Sequence, residues 1–322
     1  VANEINHLIT RPWARHWWEM QCGKLLLFAV VVREDCELIG KAISEISGPE
    51  DPYHITAIKR NGKTIIPHGK TQILLEDLVF VMTGPENVNF VRRIFDKENI
   101  REAKRVVYMG ANDITIRSIN SLPKQISAFV VDQNLEKLRR AESVVHHPHC
   151  TYYHADARDL SFFYDEGIRH ADVFVAATER TESNIIASLS AKRLMNFAKT
   201  ITMVEQTSYL ELAEKVDVGS IINKKAFAAA HIYRMLLQLN VDSIKSFTVA
   251  DADVLEYRVK HDSVFTRKAV KDLNLPSQAS IGGYVRGDKG YLANGNTVFQ
   301  PGDVLLIFCL HSDTHKLKDF LL

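Results

Sequence analysis

A turn reading Gly110-Ala111-Asn112-Asp113-Ile114-Thr115 follows the apolar run Arg105 to Met109 and precedes an amphipathic stretch. A glycine at such a junction lets the backbone fold tightly and bring bare amides to a phosphate at a helix N-terminus. The full dinucleotide pattern uses three glycines: one for the turn, one to admit the pyrophosphate, one for helix packing. Here only Gly110 is in place. Asn112 puts a side chain where backbone should approach phosphate, and Thr115 crowds helix against strand. Asp113 sets a negative charge at the helix start, where it can cap the helix but opposes a phosphate. Asp132 follows about 22 residues after Gly110, the spacing of a carboxylate that accepts from ribose hydroxyls. The chemistry on offer is nucleoside recognition with a weakened hold on phosphate. The alternative is the same scaffold kept for architecture alone.

Other chemistry-bearing groups are less directive. Asp156, in His154-Ala155-Asp156-Ala157-Arg158-Asp159, lies where a carboxylate meets the adenine end of a ligand. Asp156 or Asp159 could equally cap a helix. His146, His147, His149, Cys150 and His154 match no zinc spacing, and alternation along a strand would point them apart. They are expected to bind no metal. No nucleophile elbow, HExxH or Tyr-xxx-Lys set is present, so no catalytic machinery stands out.

Strands alternating with helices must position these residues. Strands are expected at Arg105–Met109, Ala128–Val131, Thr151–Tyr153, Val173–Ala176 and Thr200–Val204. Helices are expected at Ile114–Leu122, Leu135–Val144, Leu160–Gly167 and Thr181–Phe197. That alternation means a parallel, doubly wound Rossmann-like sheet. On its N-terminal side, Leu25–Val32, Ile55–Arg60, Lys63–Pro67 and Leu78–Met82 read as strands of a small α+β module. Asn61-Gly62 signals a hairpin. A short helix is expected at Lys41–Ile46 and a closing one at Glu86–Phe95. Ala2 to Met20 reads as a helix broken at Pro12, with Trp13, Trp17 and Trp18 forming a packing or subunit surface.

The chain also repeats itself. Sliding it by about 227 residues lays Val1-Ala2-Asn3-Glu4-Ile5 on Ala228-Ala229-Ala230-His231-Ile232, and Lys41-Ala42 on Lys268-Ala269. With one residue of slippage Arg60 falls on Arg286, Lys63 on Lys289, Gly69 on Gly295, Thr71 on Thr297 and Asp77 on Asp303. A repeat this long is a duplicated domain, not a solenoid. Four segments follow: 1–20, the terminal helix of an upstream Rossmann domain expected to precede the first copy; 21–96, a first small module; 103–241, the Rossmann-like domain; 245–322, a second small module.

The sequence has 40 basic and 39 acidic residues in 322, so it lacks the basic excess of a nucleic-acid binder. Its longest strongly apolar run, Leu25–Val32, is too short to span a bilayer as a helix. Four scattered cysteines without a CxxC pair read as reduced thiols, so a cytoplasmic setting is expected.

Several of these residues together resemble the RCK/KTN domain of potassium-transport regulators. They are the Gly110 turn, Asp132, His154-Ala155-Asp156-Ala157 (similar to the family's Gly-Asp-Ala-Thr), Ala177-Thr178, and Asn184 through Ala191-Lys192-Arg193-Leu194. The small modules resemble the companion C-terminal domain through Gly40-Lys41, Arg60-Asn61-Gly62-Lys63 and Ile66-Pro67-x-Gly69-x-Thr71. The order module, RCK, module resembles the Trk-type potassium-uptake regulatory subunit. The resemblance implies NAD(H) or ATP/ADP as ligand. It places contacts at Gly110, Ala111, Asn112, Asp113, Ile114, Asp132, Gln133, Asp156, Ala157, Ala177 and Thr178. It further implies a dimeric or tetrameric cytosolic gating ring at the inner face of the membrane, with an integral-membrane potassium-translocating subunit as partner and no enzymatic activity. An NAD-dependent oxidoreductase, or a small-molecule sensor unconnected with ion transport, are the rival readings.

Overall fold

A computed structural model describes residues 1–48, 50–225, 228–229, 241–247, 252–313 and 316–317. The chain divides into two units: residues 1–15 with 100–225, and residues 16–99 with 226–322.

Helix α1 (Ala2–Thr10) opens the chain and belongs to the first unit. It ends at Thr10, ahead of Pro12. The segment expected to continue it is instead an edge strand, β1 (His16–Met20). This corrects the boundary drawn at residue 20. Of the two readings of the tryptophans, a packing or a subunit surface, the structure shows packing. Trp13 and Trp17 are buried, Trp17 stacks on Phe28 at 5.3 Å and Trp18 stacks on Phe80 at 6.3 Å, so they serve packing within the chain.

The first small module continues with β2 (Leu25–Val31), α2 (Ile43–Ile46), β3 (Tyr53–Arg60), β4 (Lys63–Ile65), β5 (Leu78–Thr83) and α3 (Val88–Ile94). Its antiparallel sheet runs β1-β2-β5-β3-β4. Asn61 and Gly62, at φ 49° and 77°, make the two-residue turn between β3 and β4.

The Rossmann unit holds β6 (Arg105–Met109), α4 (Asp113–Asn120), β7 (Ser127–Asp132), α5 (Leu135–Val144), β8 (Cys150–His154), α6 (Leu160–Asp165), β9 (Val173–Ala176), α7 (Thr181–Arg193), β10 (Lys199–Met203), α8 (Leu210–Lys215) and β11 (Ser220–Ile222). All five strand pairings are parallel, in the order β11-β10-β9-β6-β7-β8. The order reverses between β6 and β9, and a ligand crevice opens at such a switch point. The sequence reading missed α8 and β11.

The second small module holds β12 (Val241–Phe247), β13 (Ala252–Arg258), β14 (Ala279–Arg286), β15 (Lys289–Leu292) and β16 (Val304–Leu310), in the order β12-β13-β16-β14-β15. That is the order of the first module, strand for strand, and the Arg, Asp and Thr residues that marked the repeat make matching hydrogen bonds in both copies. Arg60 grips Asp77 at 2.8 and 2.7 Å, and Arg286 grips Asp303 at 2.9 and 2.7 Å. Each aspartate also accepts a backbone amide at 2.8 Å, from Leu74 or Gln300. Thr71 and Thr297 each accept an amide three residues back at 3.0 Å. Even the β-bulge recurs, at Thr56 in β3 and Gly282 in β14. Residues 230–240, which take in most of the stretch that the repeat pairs with Ala2–Thr10, and the end of this module lie outside the described residues.

The two modules share one core, in which Met20, Leu27, Phe80 and Met82 pack with Val254, Leu306 and Phe308. The rings of Phe80 and Phe308 lie 5.9 Å apart. At the rim, Gln21 donates to Glu256 at 2.6 Å and Lys24 pairs with Asp288 at 3.0 Å.

Candidate functional site

The carboxyl ends of β6, β7, β8 and β9 surround a small open cleft of about 170 Å³. Gly110 sits at its base with φ 108°. A Cβ there would come within 3.2 Å of the Thr178 backbone nitrogen and Cγ2, so only glycine lets β6 turn under the exit of β9.

Asn112 is the N-cap of α4. Its Oδ1 accepts from Ile114 N at 3.0 Å and Thr115 N at 3.1 Å, while its Nδ2 donates to Ala177 O. The cap is therefore Asn112, not Asp113. Asp113 instead pairs with Arg140 at 2.7 Å, so its charge is balanced at the helix start. Asp132 Oδ2 accepts from Ala111 N at 2.8 Å and Oδ1 accepts from Asn134 N at 2.8 Å. The amides that a pyrophosphate would need are thus held by the chain's own side chains. Thr115, in the third-glycine position, is fully buried and its hydroxyl has no hydrogen-bond partner.

The other end of the cleft is networked as well. Arg158 grips Asp156 through Nε at 3.0 and 3.2 Å and through a terminal nitrogen at 2.7 Å, and its amide donates to the same carboxylate at 2.9 Å. This guanidinium, with the Arg158 amide and Gln133, outweighs partial desolvation and holds the Asp156 carboxyl below its usual range. His154 Nε2 meets Gln133 O at 2.9 Å. The capping role falls to Asp159, which accepts from Ser161 N at the start of α6.

Of the residues expected to touch a nucleotide, Gly110, Asp132, Gln133, Asp156, Ala157 and Thr178 line the cleft. Ala111, Asn112, Asp113, Ile114 and Ala177 do not. Lys137, Arg158, Glu179 and Arg180 line it and were missed. The charged run Thr178-Glu179-Arg180 directly after β9, and Arg158 beside Asp156, were the available signals. Among the described residues no three His, Cys, Asp or Glu converge as metal ligands, and His147 contacts Pro123 O at 3.3 Å.

A nucleotide can be tested against these groups. Each Asp132 oxygen has one amide donor and keeps a lone pair for a ribose hydroxyl. The pyrophosphate position does not fit in this arrangement, because Asn112 holds the Ile114 and Thr115 amides and Asp132 that of Ala111. The cleft suits the nucleoside half of a nucleotide.

Comparison with known proteins agrees with the architecture. The TrkA-N domain matches residues 106–224, and the TrkA-C domain matches twice, over 27–96 and 254–322. A protein named Trk system potassium uptake protein TrkA homolog, from Archaeoglobus fulgidus, is 28% identical over 320 residues, covering 99% of this chain and 71% of that protein. A Trk system potassium uptake protein TrkA from Halomonas elongata is 25% identical over 324 residues, covering 99% and 70%. Among solved structures, the GsuK channel bound to NAD aligns with a TM-score of 0.52 at 14% identity, covering 99% of this chain and 57% of that one. The GsuK RCK domain aligns with a TM-score of 0.51 at 14% identity, covering 98% and 69%. At these identities the structural likeness speaks for the fold. With a TrkA-N domain set between two TrkA-C domains, and relatives that match along its length, this chain belongs to the TrkA family of potassium-uptake regulatory proteins.

Proposed function

We propose that this chain is a regulatory, non-catalytic subunit of a potassium uptake system. It works at the cytoplasmic face of the membrane, on an integral-membrane potassium-translocating subunit, as a homo-oligomer. The observation that carries the reading is the unbroken match to relatives named for potassium uptake across 99% of the chain. Among the described residues no helix is long and apolar enough to cross a membrane, and on this reading the ion path belongs to the membrane partner. Ile186 on α7 and Leu212 on α8 are exposed apolar side chains that a second copy can cover. Regulation then means that a ligand binds two arrangements of the assembly unequally; equal binding would change nothing.

The ligand of the switch-point cleft is a nucleotide held by its ribose and base. Relief of potassium starvation on co-expression with a Trk-type membrane subunit tests the uptake role. No change in potassium influx with and without this chain would sink it. Calorimetry tests the ligand. Adenosine is expected to bind as well as NADH or ATP. Replacing Asn112 by Gly, Asp113 by Asn and Thr115 by Gly frees the Ile114 and Thr115 amides and should strengthen NADH binding about tenfold, the worth of one charge-assisted hydrogen bond. Low-micromolar NADH binding to the unaltered chain, clearly tighter than adenosine, would show that the turn already grips phosphate.

A further inference from the structure

Helix α1 is held by polar groups buried in the Rossmann unit. Asn6 Nδ2 donates to Ser118 O at 2.9 Å and to Ser121 Oγ at 3.0 Å, and Asn6 Oδ1 accepts from Ser118 Oγ at 2.6 Å. Ser118 Oγ in turn lies 2.8 Å from the Tyr108 hydroxyl. Asn6 is 9% exposed; Ser118 and Tyr108 are fully buried. Moving α4 without α1 would leave these donors and acceptors unpaired in a dry interior, which is costly for each group. The two helices therefore move as one body.

The other end of the segment is held too. Lys199 Nζ donates to Ala14 O, Ser220 Oγ donates to Arg15 O, and the Arg15 guanidinium pairs with Asp217, which also takes Lys192. Burial pushes the Lys199 ammonium well below its ordinary pKa, with Arg15 and Lys192 adding to the effect. Beyond Arg15 the chain passes at once into β1 of the first small module. At its cleft end, α4 is fixed by Asn112, which also holds Ala177 O. The helix is eight residues long and rigid over about 12 Å, so a shift at its cleft end reaches Ser118 and Ser121.

We propose that residues 1–15 are the strap that carries a change at the cleft into the first small module, with Asn6 as its positioning residue. The proposal rests on the reading of the switch-point cleft as the responsive site. Coupling of this kind needs a demonstrated thermodynamic link, not mere adjacency.

Amide hydrogen exchange on the whole chain supplies the test. Asn112→Gly should speed exchange several-fold in α4, and also in residues 1–10 and His16–Met20. In an Asn6→Leu background the response of residues 1–10 and 16–20 to Asn112→Gly should vanish, while that of α4 remains. A response confined to α4, one that stops at residue 15, or one identical in both backgrounds overturns the strap. If Asn6→Leu does not fold, Ser121→Ala removes one of the Asn6 bonds and should weaken the response; an unchanged response is equally fatal. Adenosine provides an independent arm. Protection of the cleft accompanied by a change in residues 1–10 supports the strap, and protection of the cleft alone overturns it. No protection of the cleft would count against the nucleotide reading, and the Asn112→Gly arm would still decide the strap.

Discussion

The two small modules are the same structure built twice, and they differ where they meet. Strand order, bulge position and the Arg–Asp clasp are shared. Yet Thr56, Ala57 and Thr64 of the first copy stand where the second has Gly282, Gly283 and Gly290. A Cβ on Gly282 would come within 2.7 Å of Thr56 Cγ2 and 2.9 Å of Met82 Cε. On Gly283 it would meet Leu25 Cδ1 and Tyr291 O at 2.8 Å, and on Gly290 Lys24 O at 2.4 Å. The shared residues hold each module's own fold; the unshared ones fit one module to the other. What persists through duplication is the internal clasp, and what drifts is the contact face.

The largest effect should come from breaking the shared clasp. Arg60→Ala leaves the Asp77 carboxylate buried without its cation, and Arg286→Ala does the same to Asp303. Each should cost about 3 kcal/mol, discounted from a fully buried pair because both guanidiniums reach solvent. Denaturant unfolding should give similar losses for the two variants. A loss in one copy only would mean that the clasps are not equivalent.

Gly290→Val sharpens the contrast at the contact face. Its Cβ meets backbone, which cannot swing away, so a loss of about 2–3 kcal/mol is expected. Thr64→Ala, at the matching position, should cost less than about 1 kcal/mol. Comparable melting temperatures for the two variants would refute the fitted face.

A pH difference should separate the copies next. Burial pushes the pKa of His54 down to about 4, and the matching residue of the second copy is Ser280. A histidine whose folded pKa lies below its unfolded value of about 6.5 takes up protons on unfolding. Stability therefore falls as pH drops through that window, by up to about 3 kcal/mol near pH 4. His54→Ser should flatten this part of the stability profile. An unchanged acid slope would remove His54 as its source.

The smallest effect concerns the hairpins. Gly62 has φ 77° and open space around it, so Gly62→Ala should cost about 1 kcal/mol through backbone conformation alone. Asp288→Ala, at the matching turn position, should leave the melting temperature within measurement error. Equal losses would mean that the two turns share a conformation.

Much of this was legible before any coordinates. Val173–Ala176 and residues 106–109 are buried on both faces, so they appear as unbroken apolar runs, and the helices between them carry their own periodicity. Asn61-Gly62 announces its turn. His16–Met20 was not legible, because Trp17, Trp18 and Met20 continue an apolar pattern that passes for helix until Pro12 is allowed to end it. Ser220–Ile222 has three residues and no period to read. At the cleft, Asn112 was read as an obstacle to phosphate. Asparagine is also among the favoured N-cap residues, and the structure puts it in that role. The fit of Gly290 against Lys24 O joins residues far apart in the chain, and no local pattern announces it.

The glycine-fitted face has a genetic consequence. In a symmetric dimer of identical subunits every substitution at the interface arrives twice, and the face must remain complementary to itself. With both faces encoded on one chain, each can change alone. Loss of a side chain at position 282 or 290 can be answered by retention of one at 56 or in Met82, with no need for the reverse. Joining the halves also turns their association into an intramolecular event, so dilution does not separate them. Duplication thus freed the second module to become a partner, where a mirror of the first would otherwise have been required.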